Sequence, residues 1–127
     1  MRKFLLVEDN LDLQVLLTRQ IEWMGFTVIL ATNGIEGVEK AIKEKPHLIF
    51  MDIMMPGIDG RQAARMIRSN PDTQDIPILA ATVLSKLSDR KSCMDAGCTD
   101  YLVKPFSFGA LQEKVQALIP AQSPTLP

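Results

Sequence analysis

The sequence predicts one α/β domain built on a parallel sheet, and three observations carry that reading. Short strand-like runs alternate five times with helix-like segments along the 127 residues. The runs are almost wholly apolar, as strands covered on both faces should be. Four of the five end in polar side chains: Glu8 and Asp9, then Asp52, then Thr82, then Lys104. Such alternation places helices on both faces of the sheet, joined by right-handed crossovers. Ligands of open α/β sheets bind beyond the carboxyl ends of the strands. Three acids, a hydroxyl and an ammonium would therefore meet along one edge.

Each element has its own justification. Lys3 to Val7 reads as the first strand. Asn10 can cap the helix that follows, in which Leu13, Leu16, Leu17, Gln20 and Met24 recur at helical spacing and Gly25 is the stop. Thr27 to Ala31 is a second strand. Asn33-Gly34 turns into a helix carrying Val38, Ala41 and Ile42, which ends before Pro46. Leu48 to Met51 is fully apolar, as a central strand requires.

Pro56, Gly57 and Gly60 then force a loop before a third helix, about Arg61 to Ser69, broken by Asn70-Pro71-Asp72. Ile78 to Ala81 is the fourth strand. A polar helix runs roughly from Ser88 to Ala96, with Gly97 closing it. Asp100 to Val103 is the fifth strand, and Ser107 can cap a last helix with Leu111, Val115 and Leu118 on one face. Residues 1–119 form the expected domain. The segment AQSPTLP, within 120–127, reads as a flexible tail or the start of a linker.

Bulk properties exclude several classes. A net charge of −1 gives no electrostatic reason to expect direct nucleic-acid binding. No apolar run approaches the roughly 20 residues that span a bilayer, and acids follow the amino terminus too closely for a signal peptide. Cys93 and Cys98 are too few for a disulfide framework, and His47 is the lone histidine, so no thiol or imidazole metal site is expected. The expectation is a soluble cytoplasmic protein.

Taken together and in order, these pieces resemble the receiver domain of two-component response regulators, the CheY-like family. They are the acid pair after the first strand, Asp52 followed by MMPGIDG (Met54 to Gly60), Thr82, and Lys104-Pro105. The resemblance covers about Arg2 to Ile119. It implies a flavodoxin-like (βα)5 fold with strand order 2-1-3-4-5, phosphorylation on aspartate and a requirement for Mg2+. It also implies a cis Lys104-Pro105 peptide, a metal-binding carbonyl at Met54 and an aromatic switch at Tyr101.

The residue types suit that chemistry. Like-charged carboxylates about 4 Å apart repel by roughly 4 kcal/mol at an effective dielectric of about 20. A hard divalent cation relieves the repulsion, and magnesium is commonly held by one or two carboxylates, waters and a phosphate. Asp9 and Asp52 are the expected direct ligands, with Glu8 acting largely through water. Asp52 is the expected nucleophile, forming an acyl phosphate. Lys104 and Thr82 would supply the cation and the donor that phosphoryl transfer needs.

No base stands in a catalytic motif. That suits a protein that accepts its phosphoryl group from a sensor histidine kinase or phosphotransfer protein, rather than an enzyme. The group would then control a downstream partner or tethered output domain through the fourth helix, fifth strand and fifth helix. Val83 departs from the small residue usual after Thr82 and would crowd the site.

Each piece alone has a plainer explanation: Glu8 and Asp9 as helix-capping acids, Thr82 as β-propensity, Lys104-Pro105 as a turn and Tyr101 as packing, while Asp52 at its strand end is harder to dismiss because a buried acid without a partner is costly. Four such coincidences at four strand ends are not credible together. A dehalogenase-type enzyme would want a second aspartate where Met54 stands. A dinucleotide binder would want a glycine-rich loop where Glu8 and Asp9 stand. A phosphate-independent docking module would lack an acid, the threonine or the lysine.

Overall fold

Alternation of side chains along the strands sorts the apolar residues into two layers. A computed structural model describes residues 2–83 and 86–119. Its strands are β1 (Lys3–Val7), β2 (Thr27–Ala31), β3 (Leu48–Asp52), β4 (Ile78–Thr82) and β5 (Asp100–Val103). Its helices are α1 (Leu11–Trp23), α2 (Gly34–Glu44), α3 (Gly60–Arg68), α4 (Leu87–Asp95) and α5 (Phe108–Leu118). All strand pairs are parallel, in the order β2-β1-β3-β4-β5.

Leu5 and Val7 face one side of the sheet with Ile49, Met51 and Ala80, against Val38, Ala63, Ile67 and Cys93 of α2, α3 and α4. Phe4 and Leu6 face the other with Phe50, Leu79 and Leu102, against Leu17, Ile21, Leu111 and Val115 of α1 and α5. Both layers bury the central strands completely, which explains why β3 and β4 show no polar alternation. The flavodoxin-like topology expected from the sequence is the one observed.

Differences lie at helix ends and faces. The buried stripe of α1 is Gln14, Leu17 and Ile21, whereas Leu16 is half exposed, because β1 and β2 meet the helix from that side. Helix α3 starts at Gly60, one residue before the expected Arg61. Asp59 accepts the backbone N–H groups of Arg61 and Gln62, and the Gln62 side chain closes a capping box. Helix α4 runs from Leu87 after Lys86, which makes no side-chain cap.

At the far end of α4, Gly97 has φ +111°, and a Cβ there would stand 2.5 Å from Cγ of Arg68. Arg68 lies across this glycine and donates to its carbonyl at 2.9 Å, tying α3 to the turn before β5. Strands β3 and β4 each run one residue further than expected, so Asp52 and Thr82 are themselves the last strand residues. The tail expected over 120–127 lies outside the described residues.

Candidate functional site

Parallel pairing in register brings the polar strand ends to one edge. Asp52 pairs with Ala81, one residue before Thr82, and Thr82 pairs with Val103, one residue before Lys104. The Lys104 backbone N–H donates to the Thr82 carbonyl at 2.8 Å, and the Lys104–Pro105 peptide is cis. On the other side of β3, the Glu8 N–H continues the ladder to Ala31, so Glu8 is fully buried while Asp9 reaches the surface. Carboxylate oxygens of Glu8, Asp9 and Asp52 all lie within 4.8 Å of one another.

Lys104 bridges two of these acids. Its Nζ lies 2.9 Å from Glu8 Oε1 and 3.4 Å from Asp52 Oδ1. Glu8 is held further by the Asn10 N–H on Oε2 at 3.1 Å, and the Gln14 side chain donates to the Glu8 carbonyl at 2.7 Å. The Met54 N–H donates to Asp52 Oδ1 at 3.2 Å. Burial first, and then the Glu8 carboxylate, push the Asp52 carboxyl up to about 7 against the pull of Lys104. Three carboxylates against one ammonium leave two negative charges without compensation when all are ionised.

That excess favours a bound cation. An all-oxygen set with two surplus charges suits a hard divalent ion such as magnesium and gives a soft metal no ligand. Asp9, exposed at the rim, and Asp52, at the floor, could hold it, with Glu8 shared between the cation and Lys104. Glu8, Asp9, Asp52, Met54, Val83 and Lys104 line one cleft of about 230 Å3. Thr82 is fully buried beneath its edge, and Val83 is 63% exposed at its mouth.

Tyr101 stands differently from the expected switch. Its ring is already buried in the layer with Cys93, and its hydroxyl is buried with no hydrogen-bond partner among the described residues. An inward turn is therefore not needed to bring it inside.

Several supporting residues were not legible in sequence. Gln14 looks like a surface residue of α1 until β1 places Glu8 beside it. Arg61 pairs with Asp59 at 3.2 Å and donates to Ser92 of α4 at 3.2 Å, linking the loop after Asp52 to α4. Gly60 is the tightest point of that loop. Its N–H donates to the Ile53 carbonyl, and an added Cβ would stand 2.6 Å from the Asp52 carbonyl oxygen and 2.8 Å from Ile53 Cα. Both neighbours are backbone, so the loop itself must move. Gly60→Ala is expected to cost roughly 1–3 kcal/mol in urea unfolding. It should also shift the amide resonances of residues 52–54, and an unchanged spectrum would show the loop to be slack.

Comparison with known proteins settles the family. The family model for the response regulator receiver domain matches residues 4–116. The chain is a response regulator receiver domain. This receiver is 35% identical over 122 residues to the response regulator MprA of Mycobacterium leprae (strain TN), covering 96% of this chain and 53% of that protein. The MprA of Mycobacterium ulcerans (strain Agy99) is 37% identical over 117 residues, covering 92% and 50%. The receiver thus spans about half the length of these curated relatives.

Among solved structures, it superposes on the receiver domain of the sensor histidine kinase PA1611 from Pseudomonas aeruginosa PAO1. The TM-score is 0.87 at 36% identity, covering 94% and 98% of the two chains. That structure has a magnesium ion coordinated in its active-site cleft. The chemotaxis protein CheY4 of Vibrio cholerae matches with a TM-score of 0.89 at 27% identity, covering 94% and 99%. No helix among the described residues is long and apolar enough to cross a membrane.

Proposed function

We propose that the receiver accepts a phosphoryl group on Asp52 from a phosphohistidine donor, in a magnesium-dependent reaction, and that the α4-β5-α5 face reports the change. The observation that carries this reading is Asp52 at the buried end of β3, 3.4 Å from Lys104 and in one carboxylate cluster with Glu8 and Asp9. An Asp52 carboxylate oxygen forms the new bond to phosphorus. The phosphorus–nitrogen bond breaks, and its electron pair leaves with the donor imidazole.

Glu8, Asp9 and Asp52, with the Met54 carbonyl, would hold magnesium, which when bound would supply positive charge at the phosphoryl oxygens. Lys104 approaches from the β5 side, so charge is balanced on both flanks of the transferring group. Asp52 must be ionised to attack, and its buried position beside Glu8 opposes that until positive charge is close. Thr82 donates its hydroxyl to a phosphoryl oxygen. Val83, at the cleft mouth, narrows the donor's approach.

The receiver acts as a phosphoacceptor that assists its own phosphorylation and dephosphorylation, not as a turnover enzyme. Its partners are a cytoplasmic sensor histidine kinase or phosphotransfer protein, and a downstream protein or attached output domain. Phosphorylation adds about −1.5 to −2 charges beside Lys104 and Thr82. A full reversal of a 1:99 switch needs about 5.5 kcal/mol of preference, within reach of a few charge-assisted hydrogen bonds at roughly 1.5–3 kcal/mol each. With Tyr101 already inside, the switch turns on fixing α4 against β5 around that ring rather than on inserting it.

Intact-mass measurement with acetyl phosphate tests the chemistry. One phosphoryl adduct is expected on wild type with magnesium, and none without magnesium or on Asp52→Asn. An adduct of equal yield on the variant would remove Asp52 from the role. Beryllofluoride, standing in for the phosphoryl group, should shift amides across α4, β5 and α5. Changes confined to the cleft would mean that output uses another surface.

A further inference from the structure

We infer that Arg61 is a tether fixing α4 to the loop after Asp52, so that a change at the phosphoryl site reaches α4 through α3 as well as through Thr82. Little else holds α4. Of its nine residues Cys93 alone is buried, whereas the nine residues of α3 bury Gly60, Ala63, Ala64 and Ile67. Its N-cap, Lys86, makes no side-chain bond, and Leu87 beside it is 82% exposed. A helix without an apolar face owes its position to a few polar contacts rather than to packing.

Those contacts come from α3. Arg61 and Arg68 are seven residues apart in the sequence, about two helical turns, so they share one face of that helix. Arg68 donates to the Gly97 carbonyl at 2.9 Å and to Thr99 Oγ1 at 3.3 Å, pinning the C-terminal end of α4. Arg61 donates from Nη1 to Ser92 Oγ at 3.2 Å and so sets the angle at which α4 leaves that pin. The other arm of the Arg61 fork meets Asp59 Oδ2 at 3.2 Å, and Asp59 accepts the Arg61 and Gln62 N–H groups. Gly60, between them, donates to the Ile53 carbonyl and leaves no room for a side chain against the Asp52 carbonyl. An unbroken run of hydrogen-bonded and close-packed groups therefore joins Asp52 to Ser92, and neither Thr82 nor Tyr101 belongs to it. Such runs carry coupling when the element at their far end can move, and α4 is the helix that buries least.

The route rests on the phosphoryl acceptance proposed above, whereas the tether does not, and two measurements separate them. Amide hydrogen exchange in buffer alone reads the tether. Ser92→Ala and Arg61→Met should speed exchange of the α4 amides 90–95 roughly three- to tenfold, and Ser92→Thr, which keeps the hydroxyl, should restore wild-type rates. Helix propensity runs the other way, because alanine favours a helix over serine and threonine does not. A merely local effect would therefore slow exchange in Ser92→Ala. Amide shifts induced by beryllofluoride with magnesium read the route. They should reach α4 in the wild type and fall there to about half or less in Ser92→Ala and Arg61→Met, while those at 52–54 and 101–103 remain. Unchanged exchange in both variants overturns the tether. Faster exchange with α4 shifts as large as in the wild type overturns the route. Faster exchange with no α4 response even in the wild type supports the tether and overturns the reporting face itself.

Discussion

Asp52→Asn is expected to make the receiver more stable at pH 7.5, by roughly 2–4 kcal/mol in urea unfolding without magnesium. The cause is charge burial. Asp52 is 3% exposed, and Glu8 beside it is wholly buried, so the folded protein holds the Asp52 proton up to about 7, against 3.8 in a free chain. Between those values the native state keeps a proton that the unfolded chain has released. Wild-type stability therefore falls as pH rises through that window, and the loss is complete above about 7. A carboxyl raised that far corresponds to roughly 4 kcal/mol, trimmed where the cleft admits solvent.

Asparagine has nothing to ionise, so the variant should lack this slope. The two proteins should converge near pH 4, and magnesium should narrow the gap at pH 7.5 by stabilising only the wild type. A variant less stable than wild type at pH 7.5 would mean that Asp52 is held by favourable contacts and is not a strained site.

Lys104→Met should act in the opposite direction. The ammonium lies 2.9 Å from Glu8 and 3.4 Å from Asp52 and is itself 15% exposed, so its removal strands two buried carboxylates. Loss of one partner from a buried ion pair costs roughly 3–5 kcal/mol. Proton uptake by Asp52 softens this, and about 3 kcal/mol at pH 7.5 is expected. The methionine keeps the aliphatic stem, so packing changes little.

The informative protein is Lys104→Met/Asp52→Asn, in which one stranded charge is gone. Measured against Asp52→Asn, the added Lys104→Met change should cost only about 1–2 kcal/mol rather than about 3, a coupling of about 1–2 kcal/mol. Additive effects would show that Lys104 serves Glu8 alone. Phosphorylation by acetyl phosphate should slow sharply in Lys104→Met, because one flank of the transferring group loses its cation.

Strand positions were legible because burial on both faces demands uninterrupted apolar runs, and FLLV, LIFM and ILAA satisfy that demand without help from neighbours. Asn10 and Ser107 were legible as caps because each side chain accepts a backbone N–H three residues ahead, a local bond; Asn33, read only as a turn, caps α2 in the same way. Asp59 was not, because MMPGIDG offers several turn residues and only the completed loop shows which one faces α3. The stripe of α1 was misplaced toward Leu16 because leucines on two sides of a helix look alike until a sheet covers one of them. Gln14 was passed over for the same reason.

By itself, the sequence determined the alternating α/β frame, the strand order through family resemblance, and the identity of the acids, hydroxyl and lysine at the strand ends. The frame and the strand-end residues depend on periodicity and on residue type, which are local properties; the strand order rested on the resemblance alone. Tertiary structure alone decided how the charges divide: Lys104 lies closer to Glu8 than to Asp52, Asp9 stays at the surface, and Tyr101 is already inside. It also decided that Gly60 underlies Asp52 and that Arg61 joins the site loop to α4. Those facts depend on distances between residues far apart in the chain. Such distances exist only once the strands have paired in register and the helices have closed over them.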